Sequence, residues 1–377
     1  MYSDIIVIGG GLIGCGIAAQ LASSGLKVNL FERGELIKEA SWAAAGMLAP
    51  QSELTAITPL FLLCQKSLAI YPEFTKKLYE QTRLDPCHRS EGSLQLAFDQ
   101  LSAQELEKKL NWQASAGLNL RKLTSNEVKE FIPSISSKVL TGYYLPDEHQ
   151  VDNRKLSESI VKQAQIAGVN FHLGSQVTEI IVEQNKAVGI IANGERHLAS
   201  KIINAAGSWA SLFSLPNFPK HILPEIKPVR GQMLAVKASP KTLSYTLHSK
   251  HIYLVPRFDG TIIIGSTTEH VGYDKSVTIN GLENLSTEAK TIIPELANAS
   301  LVSAWAGLRP ASIDLLPILG EHSQLPGFVF ATGHYRNGIL LAPITIELIS
   351  KLIFTGKTDE LLLPFSPNRF ISTAKAS

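Results

Sequence analysis

Three glycines near the start of the chain are spaced for contact with a phosphate. Gly9, Gly11 and Gly14 form the pattern G-x-G-x-x-G, and Glu32 lies eighteen residues further along. The first glycine permits a tight turn, the second lets a pyrophosphate approach the backbone, and the third allows a helix to pack closely on a strand. A carboxylate at position 32 can accept hydrogen bonds from both hydroxyls of an adenosine ribose. The pattern therefore predicts a dinucleotide site, for either FAD or NAD.

The segments around these residues have the order that a dinucleotide site requires. Residues 4–8 predict a buried strand, residues 12–24 a helix that ends at Gly25, and residues 27–31 a second strand. The uncharged stretch 5–26 also has the length of a membrane span or a signal peptide. Its glycines would weaken a spanning helix, and no basic residue precedes it. A central parallel strand buried on both faces explains the same apolarity, so no integral membrane segment is expected.

Composition limits the class of protein and its partners. The chain has 377 residues, 45% of them hydrophobic and 18% charged, which is typical of a globular protein of two domains. Its net charge of +2, without a basic run, argues against a nucleic-acid partner. Cys15, Cys64 and Cys87 form no C-x-x-C pair or disulfide framework, which predicts a cytoplasmic location. The ten histidines show no metal-ligand spacing, so no metal is expected.

The order of the predicted elements indicates an α/β fold of two discontinuous domains. One is a Rossmann-like dinucleotide-binding domain, and the second is a substrate-binding domain built on an antiparallel sheet. The expected boundaries are 1–55, 150–212 and 305–365 for the first domain, 56–149 and 213–304 for the second, and 366–377 for a tail. The strand patterns of the second domain cover 229–236, 252–256 and 261–265.

Further segments rich in small residues narrow the choice of cofactor. They read AAAGML at 43–48, IINAAGSWA at 202–210, AGLRP at 306–310 and GHYRNGILLAP at 333–343. Small residues let the backbone approach a flat ligand, and a helix after GHYRNG would direct N–H groups at that ligand, whereas simple strand-to-helix turns are the alternative for IINAAGSWA and GHYRNG. Together with the N-terminal unit, these segments resemble the D-amino-acid oxidase superfamily of FAD-dependent amine oxidases. Within it they are most similar to the glycine oxidases of thiamine biosynthesis.

The resemblance implies FAD as the cofactor. It implies noncovalent binding, because no cysteine follows Cys87, whereas some relatives attach the flavin through a late cysteine. A single G-x-G-x-x-G leaves no visible site for a second, nicotinamide cofactor, so electrons are expected to pass to molecular oxygen or a quinone. The residues assigned to FAD are Gly9, Gly11, Gly14, Glu32, Arg33, Ala44, Ala45, Gly46, Met47, Ala206, Gly207, Trp209, His334, Arg336, Asn337, Gly338 and Ile339.

An arginine is well suited to bind the carboxylate of an amino acid, because its planar guanidinium donates two parallel hydrogen bonds. The apolar residues 305–308 indicate that Arg309 is buried, where it would need a partner, whereas a surface salt bridge is the alternative. The resemblance carries the carboxylate-binding arginine of the superfamily onto Arg309. It also implies catalytic roles for Tyr253 and Arg336. Tyr253 could instead be a packing residue, and His334 could merely stabilise its turn.

The expected reaction is the oxidative deamination of glycine, with sarcosine and small D-amino acids as further substrates. A flavin can accept hydride directly at N5, so no enzyme nucleophile or base is required. The products would be an imino acid and hydrogen peroxide, with the imine feeding thiazole synthesis. Two alternatives stay open: a quinone-linked D-amino acid dehydrogenase and a noncatalytic FAD-binding subunit. The sequence also leaves the oligomeric state open, a homo-oligomer included.

Overall fold

The computed structural model describes residues 2–216, 218 and 222–371. Of the predicted tail 366–377, residues 372–377 lie outside the described residues. The strands are β1 (Tyr2–Ile8), β2 (Val28–Phe31), β3 (Met47–Leu48), β4 (Ser93–Ala97), β5 (Arg121–Thr124), β6 (Thr141–Leu145), β7 (His149–Gln150), β8 (Asn170–His172), β9 (Val177–Glu183), β10 (Lys186–Ala192), β11 (Glu195–Asn204), β12 (Ile226–Lys237), β13 (Thr246–His248), β14 (Tyr253–Pro256), β15 (Thr261–Gly265), β16 (Ser300–Ser312), β17 (Ile318–Glu321) and β18 (Phe328–Thr332).

The α-helices are α1 (Leu12–Ser23), α2 (Ala40–Ala43), α3 (Pro50–Glu53), α4 (Pro59–Thr82), α5 (Gln100–Ser115), α6 (Ser125–Phe131), α7 (Asn153–Ile166), α8 (Ile279–Ile292) and α9 (Ala342–Thr355). Short 3-10 helices cover Gly207–Trp209, Pro294–Asn298, Glu360–Phe365 and Pro367–Phe370. Within the described ranges, none of the helices combines the length and the apolarity needed to cross a membrane.

The first sheet has a parallel centre with helices packed against it. Its strand order is β17-β18-β11-β1-β2-β8, and β9 and β10 extend it from β11. β1 pairs in parallel with β2 and β11, and β11 pairs in parallel with β18. α1 packs on α7 and α9, and Gly16 gives room for the side chain of Ile346 at the second of these contacts. The predicted strand-helix-strand unit at the N-terminus is therefore confirmed.

The second sheet is mostly antiparallel, with the strand order β16-β12-β15-β14-β13-β4-β6-β5. α8 packs on one face through Leu285 and Ile292, which are buried with Leu247, Leu254 and Ile264 of the sheet. Two sheets of these types confirm the predicted α/β class. β16, the longest strand of the sheet, crosses the predicted domain boundary at residue 305, and the domain boundaries remain a prediction.

Arg230 on β12 fixes the loop 266–278, which joins β15 to α8. Its side chain is only 5% exposed and pairs with the carboxylate of Glu269. The same guanidinium donates to Asp274 Oδ2 at 2.5 Å and to Ser276 Oγ at 3.0 Å. A buried charge that loses its partner is costly, so this cluster holds the loop against the sheet.

We expect Arg230→Met to lower the free energy of unfolding by about 3 kcal/mol, because the loop loses its buried counter-charge. Lys227→Met is the matched control on the same strand, since Lys227 forms only an exposed pair with Glu225. The control should cost less than about 0.5 kcal/mol. Urea unfolding measures both, and limited trypsin digestion at Lys275 reports release of the loop. Equal stabilities of the two variants would contradict this account of the anchor.

Candidate active site

The three glycines of the N-terminal pattern have separate structural roles. Gly9 has φ +106°, and a Cβ there would lie 2.5 Å from the carbonyl oxygen of Ala205. A Cβ at Gly14 would overlap the carbonyl oxygen of Gly9, so Gly14 permits α1 to pack on the turn. The nearest atom to a Cβ at Gly11 is Ser41 Oγ at 3.5 Å, which is ordinary contact. Gly11 therefore adds no side chain over the start of α1, where a phosphate approaches such a unit and where Leu12 N donates to Ser41 Oγ at 3.1 Å.

The carboxylate of Glu32 is held by two backbone amides. Gly10 N donates to Oε2 at 2.8 Å, and Gly34 N donates to Oε1 at 2.9 Å. Each carboxylate oxygen can accept more than one hydrogen bond, so both retain capacity for a ligand hydroxyl. The side chain also lines the cavity described next. This placement agrees with a contact to a ribose.

A cavity of about 350 Å³ is lined by residues from both sheets. The predicted site residues that line it are Gly9, Gly11, Glu32, Arg33, Ala44, Ala45, Gly46, Met47, Ala206, Gly207, Trp209, Tyr253, Arg309, His334, Arg336, Gly338 and Ile339. Two predicted residues do not line it. Gly14 packs beneath the glycine turn, and Asn337 is buried with its N–H donating to His334 O at 2.9 Å. Segments far apart in the sequence thus meet at one site.

Arg33 and Trp209 face each other at one end of this cavity. The guanidinium carbon of Arg33 lies 3.6 Å from the centroid of the indole ring, and its Nη2 donates to Glu39 Oε1 at 2.7 Å. Glu39 also accepts from Lys275 at 3.1 Å, in the loop that Arg230 anchors. A guanidinium stacked on an aromatic ring forms a stabilising cation–π interaction. Glu39 therefore links the loop after β2 to the loop 266–278 beside the cavity.

Arg309 presents a guanidinium that no acidic side chain neutralises in the described part of the chain. It donates to Thr267 O at 3.2 Å and to Ser266 Oγ. The group lies over Gly231 of β12, where a Cβ would sit only 2.6 Å from Cζ of Arg309. The missing side chain of Gly231 therefore makes room for the fork. Because a half-buried arginine needs an anionic partner, the geometry suits a ligand carboxylate.

Arg336 is placed differently, because Glu53 holds its fork. Its Nε and Nη2 donate to the two carboxylate oxygens of Glu53 at 2.6 and 3.0 Å. The hydrogen bond that Arg336 donates to Glu53 raises the pKa of Arg336 above its ordinary value. Burial is the largest single effect and acts to raise the pKa of Glu53, but the hydrogen bond from Arg336 and the nearby positive charges together outweigh it, so the pKa is lowered. Both groups are charged at neutral pH, and Arg336 brings little net charge to the cavity.

Tyr253 and His334 complete the predicted set. The Tyr253 hydroxyl lies 3.5 Å from the sulfur of Met233, and its ring lines the cavity. The Nε2 atom of His334 lies 3.1 Å from Thr345 Oγ1 in α9. Burial lowers the pKa of His334 to about 4, so its ring is neutral at pH 7. His334 thus ties the turn after β18 to the following helix.

Four residues that surround the guanidinium groups of Arg309 and Arg336 escaped sequence reasoning: Glu53, Gly231, Ser266 and Thr267. Glu53 ends the four-residue helix α3, and nothing in its local sequence points to Arg336, 283 positions away. Gly231 had a signal, since a glycine inside an apolar strand indicates close approach of another group. Ser266 and Thr267 follow β15 in a loop whose path depends on the Arg230 cluster. Their contact with Arg309 depends on the tertiary fold, so the local sequence gives no signal for it.

His248 on β13 is a buried histidine beside the Glu53 and Arg336 pair. Its Nε2 is among the buried atoms without a hydrogen-bond partner in the described structure. Burial lowers the pKa of His248 to about 4, from an ordinary value of 6.5. Glu53 acts to raise this pKa, whereas Lys109 and Arg336 act to lower it. The native protein therefore resists placing a proton on this ring.

Comparison with known proteins identifies the class. The family model for FAD dependent oxidoreductases, named DAO, matches residues 4–352, and the chain belongs to this family. Glycine oxidase of Geobacillus kaustophilus is 32% identical over 98% of this chain and 97% of that protein. A crystal structure of glycine oxidase from Geobacillus kaustophilus superposes with a TM-score of 0.92, at 32% identity, over 98% of this chain and 99% of that chain.

A longer relative matches as well. The bifunctional protein ThiO/ThiG of Trichormus variabilis is 35% identical over 100% of this chain, and the match covers 56% of that protein. The chain therefore spans little more than half the length of that relative.

The residues present fit FAD, the cofactor of the family. The glycine turn has no side chain at the start of α1, and Glu32 keeps acceptor capacity at the end of β2. These are the two contacts that a dinucleotide makes with such a unit. Arg33 and Trp209 would flank its adenosine end, and the segment 43–47 would pass close to its ring system. Within the described residues there is no group of three or more side chains that could hold a metal ion.

The pair Gly11→Ala and Gly14→Ala separates cofactor contact from folding. Gly11→Ala should leave the unfolding temperature of the flavin-free protein unchanged and weaken FAD binding at least about tenfold, because its methyl group faces the bound pyrophosphate. Gly14→Ala should lower the stability of the flavin-free protein by about 1–3 kcal/mol through overpacking. Thermal unfolding and titration of FAD fluorescence measure the two effects. Full FAD affinity in Gly11→Ala would contradict the placement of the phosphates.

Replacing His248 should change the pH dependence of stability. The unfolded state takes up a proton near pH 6.5 and the folded state only near pH 4, so this stabilisation is present above pH 6.5 and is lost as pH falls. His248→Gln removes the effect, and the loss of unfolding free energy between pH 7 and 5 should shrink by about 2 kcal/mol. Urea unfolding at both pH values measures it. Exposed His251→Gln is the control, and equal slopes for both variants would refute the assignment.

Proposed function

We propose that this chain catalyses the FAD-dependent oxidation of glycine by molecular oxygen. In the overall reaction glycine loses two electrons and two protons to become iminoacetate, and oxygen gains them to become hydrogen peroxide. The observation that carries the proposal is Arg309, a half-buried guanidinium with no acidic partner among the described residues, in a cavity shared with the cofactor unit. Glycine oxidases of similar sequence and structure support the choice of substrate.

Each side chain of the cavity has a task in this proposal. Arg309 binds the substrate carboxylate through two parallel hydrogen bonds and so fixes the orientation of the α-carbon. Arg336, already paired with Glu53, shapes the wall and adds no second free charge. The bulky side chains of Met47, Met233 and Tyr253 line the same cavity and leave room for a small substrate. Bound FAD supplies the two-electron acceptor.

Several finer features belong to the same proposal. The cofactor is bound noncovalently, and the first sheet with its helices holds it, whereas the second sheet covers the substrate. A cytoplasmic location agrees with three free cysteines, of which Cys15 and Cys64 are buried. The imine is expected to serve thiazole synthesis or to hydrolyse to glyoxylate. Sarcosine and small D-amino acids are further candidate substrates, and a homo-oligomer is the proposed assembly.

Arg309→Met tests the carboxylate site. We expect kcat/KM for glycine to fall at least about 100-fold, because two charge-assisted hydrogen bonds are lost, while FAD remains bound. Arg309→Lys should recover part of this loss, since it restores the charge without the fork. Oxygen consumption and peroxide formation measure the rates, and the flavin spectrum with acetate measures anion binding directly. Exposed Arg121→Met is the control and should behave like the unaltered protein.

Anaerobic mixing with an amino acid, followed by admission of air, distinguishes the proposed function from its alternatives. Anaerobic bleaching of the flavin by glycine, followed by peroxide on admission of air, supports the proposal. Bleaching without peroxide would indicate a quinone-linked dehydrogenase, and bleaching only by another amine would change the substrate. A flavin that responds to no amino acid would indicate a noncatalytic FAD-binding subunit.

A further inference from the structure

A second cavity of about 320 Å³ lies beside the active site. The start of α7, the turn between β14 and β15, and the first half of β16 form its walls. Ala44 lines both this cavity and the active-site cavity, so the two cavities are neighbours. The proposed reaction uses none of the charged groups found here.

The cavity is lined by more positive than negative side chains. Four basic residues contribute to it, against two acidic ones: Arg89, Arg154, Lys155 and Arg257, with Asp152 and Asp259. Neither carboxylate is free, and Asp152 Oδ2 lies 3.7 Å from Nε of Arg257 in the same cavity. Asp152 Oδ1 caps α7 by accepting from the backbone amides of Arg154 at 3.0 Å and Lys155 at 3.2 Å. Asp259 pairs with Lys237 at 3.0 Å. The cavity is therefore suited to an anion.

Arg154 is the basic residue whose guanidinium lacks a hydrogen-bond acceptor in the described structure. The group is stacked over two indole rings, with its central carbon 3.9 Å from the centroid of Trp42 and 4.7 Å from that of Trp305. Its Nη2 is buried without a hydrogen-bond partner. A buried N–H without an acceptor is costly, and a planar guanidinium held by aromatic rings is oriented to bind an oxyanion.

The other two arginines are occupied by carboxylate and carbonyl groups, and each has a carboxylate partner, Glu91 for Arg89 and Asp152 for Arg257. Arg257 donates to Ala45 O at 2.8 Å, to Asn153 Oδ1 at 3.0 Å and to Val151 O at 3.3 Å. Arg89 donates to Glu91 at 2.6 Å and to two backbone carbonyls. Lys155 is exposed, and its ammonium touches only the sulfur of Cys87 at 3.3 Å. Arg154 and Lys155 can therefore turn their donors to a ligand.

We propose that this cavity binds the phosphate group of a small phosphate monoester. Arg154 donates a bidentate pair of hydrogen bonds to the phosphate oxygens, and Lys155 adds a point charge. The apolar walls, made by Trp305, Val302 and the exposed ring of Phe258, take the organic part of the molecule. The site is independent of the proposed oxidation of glycine.

The cavity is also connected to the cofactor segment. Arg257 holds Ala45 O, Trp305 Nε1 donates to Ala43 O at 3.0 Å, and Asn153 Nδ2 donates to Ser41 O at 2.9 Å. A ligand that draws Arg154 away from the two indoles changes the packing behind this segment. Occupancy is therefore expected to shift the visible spectrum of the bound flavin.

Calorimetric titration of the FAD-bound protein with phenyl phosphate and with inorganic phosphate tests the proposal. We expect one site per chain, with phenyl phosphate bound at least tenfold more tightly than inorganic phosphate and phenol not bound. Arg154→Gln should weaken phenyl phosphate at least tenfold, and Lys155→Gln should weaken it less. Lys162→Gln, an exposed change on the same helix, is the matched control and should leave binding unchanged. Thermal unfolding establishes that each variant is folded.

Any of three results would overturn the assignment. The first is the absence of saturable binding of either phosphate, and the second is binding that Arg154→Gln and Lys155→Gln leave intact. The third is equal affinity for phenyl phosphate and inorganic phosphate, because it would show that the cavity does not bind the organic part of the molecule. Because acetate binding at Arg309 is a separate readout, failure of this site and failure of the proposed glycine site are distinguishable.

Discussion

The structure depends on the close approach of the segment 40–46 to the long strand pair β12 and β16. Gly231 and Gly307 stand directly opposite each other in that pair, and each makes room for a different neighbour. A Cβ at Gly307 would overlap Ala43, and a Cβ at Gly231 would displace the guanidinium of Arg309. The absence of two side chains thus brings the segment 40–46 and the guanidinium of Arg309 to the same place. Interiors are too closely packed to absorb a methyl group at such a position, so these two glycines determine the shape of the cavity.

The arginines around the two cavities differ in the groups that bind their guanidinium groups. Arg336 and Arg230 have carboxylate partners, and both stabilise local structure. Arg257 is bound by backbone carbonyls and an amide oxygen, with a carboxylate oxygen of Asp152 at 3.7 Å. Arg309 and Arg154 lack an acidic partner among the described side chains and are held by hydroxyl and carbonyl groups or by indole rings. An unpaired charge on a half-buried side chain is costly, so an anionic ligand would stabilise Arg309 and Arg154 more than the paired arginines.

The sequence was sufficient to predict the local elements. It was insufficient to predict the tertiary contacts between them. The strand-helix-strand unit, Glu32 at its end and the α/β class follow from periodicity and glycine spacing, because those signals lie within one stretch of chain. Arg309 was identified from its apolar flanks and from a resemblance. Its position inside β16 was not predicted, since the pattern AGLRP has no regular alternation of polar and apolar residues. The partners Glu53 and Ser266 could not be derived, because only the tertiary fold brings these positions to the arginines. Gly231 indicated close approach of another group, but the sequence did not identify Arg309 as that group.

The parallel centre of the first sheet has a consequence for synthesis of the chain. β1 pairs with β11, so Ile8 lies opposite Asn204, and β11 in turn pairs with β18. Ribosomes add roughly 5–20 residues per second, so one edge of the apolar strand β1 waits on the order of ten to forty seconds for its partner to be made. β2 can cover the opposite edge early, because it follows within the first 31 residues. An apolar strand left with a free edge is prone to pair with other chains, so the nascent protein is most exposed to aggregation during this interval.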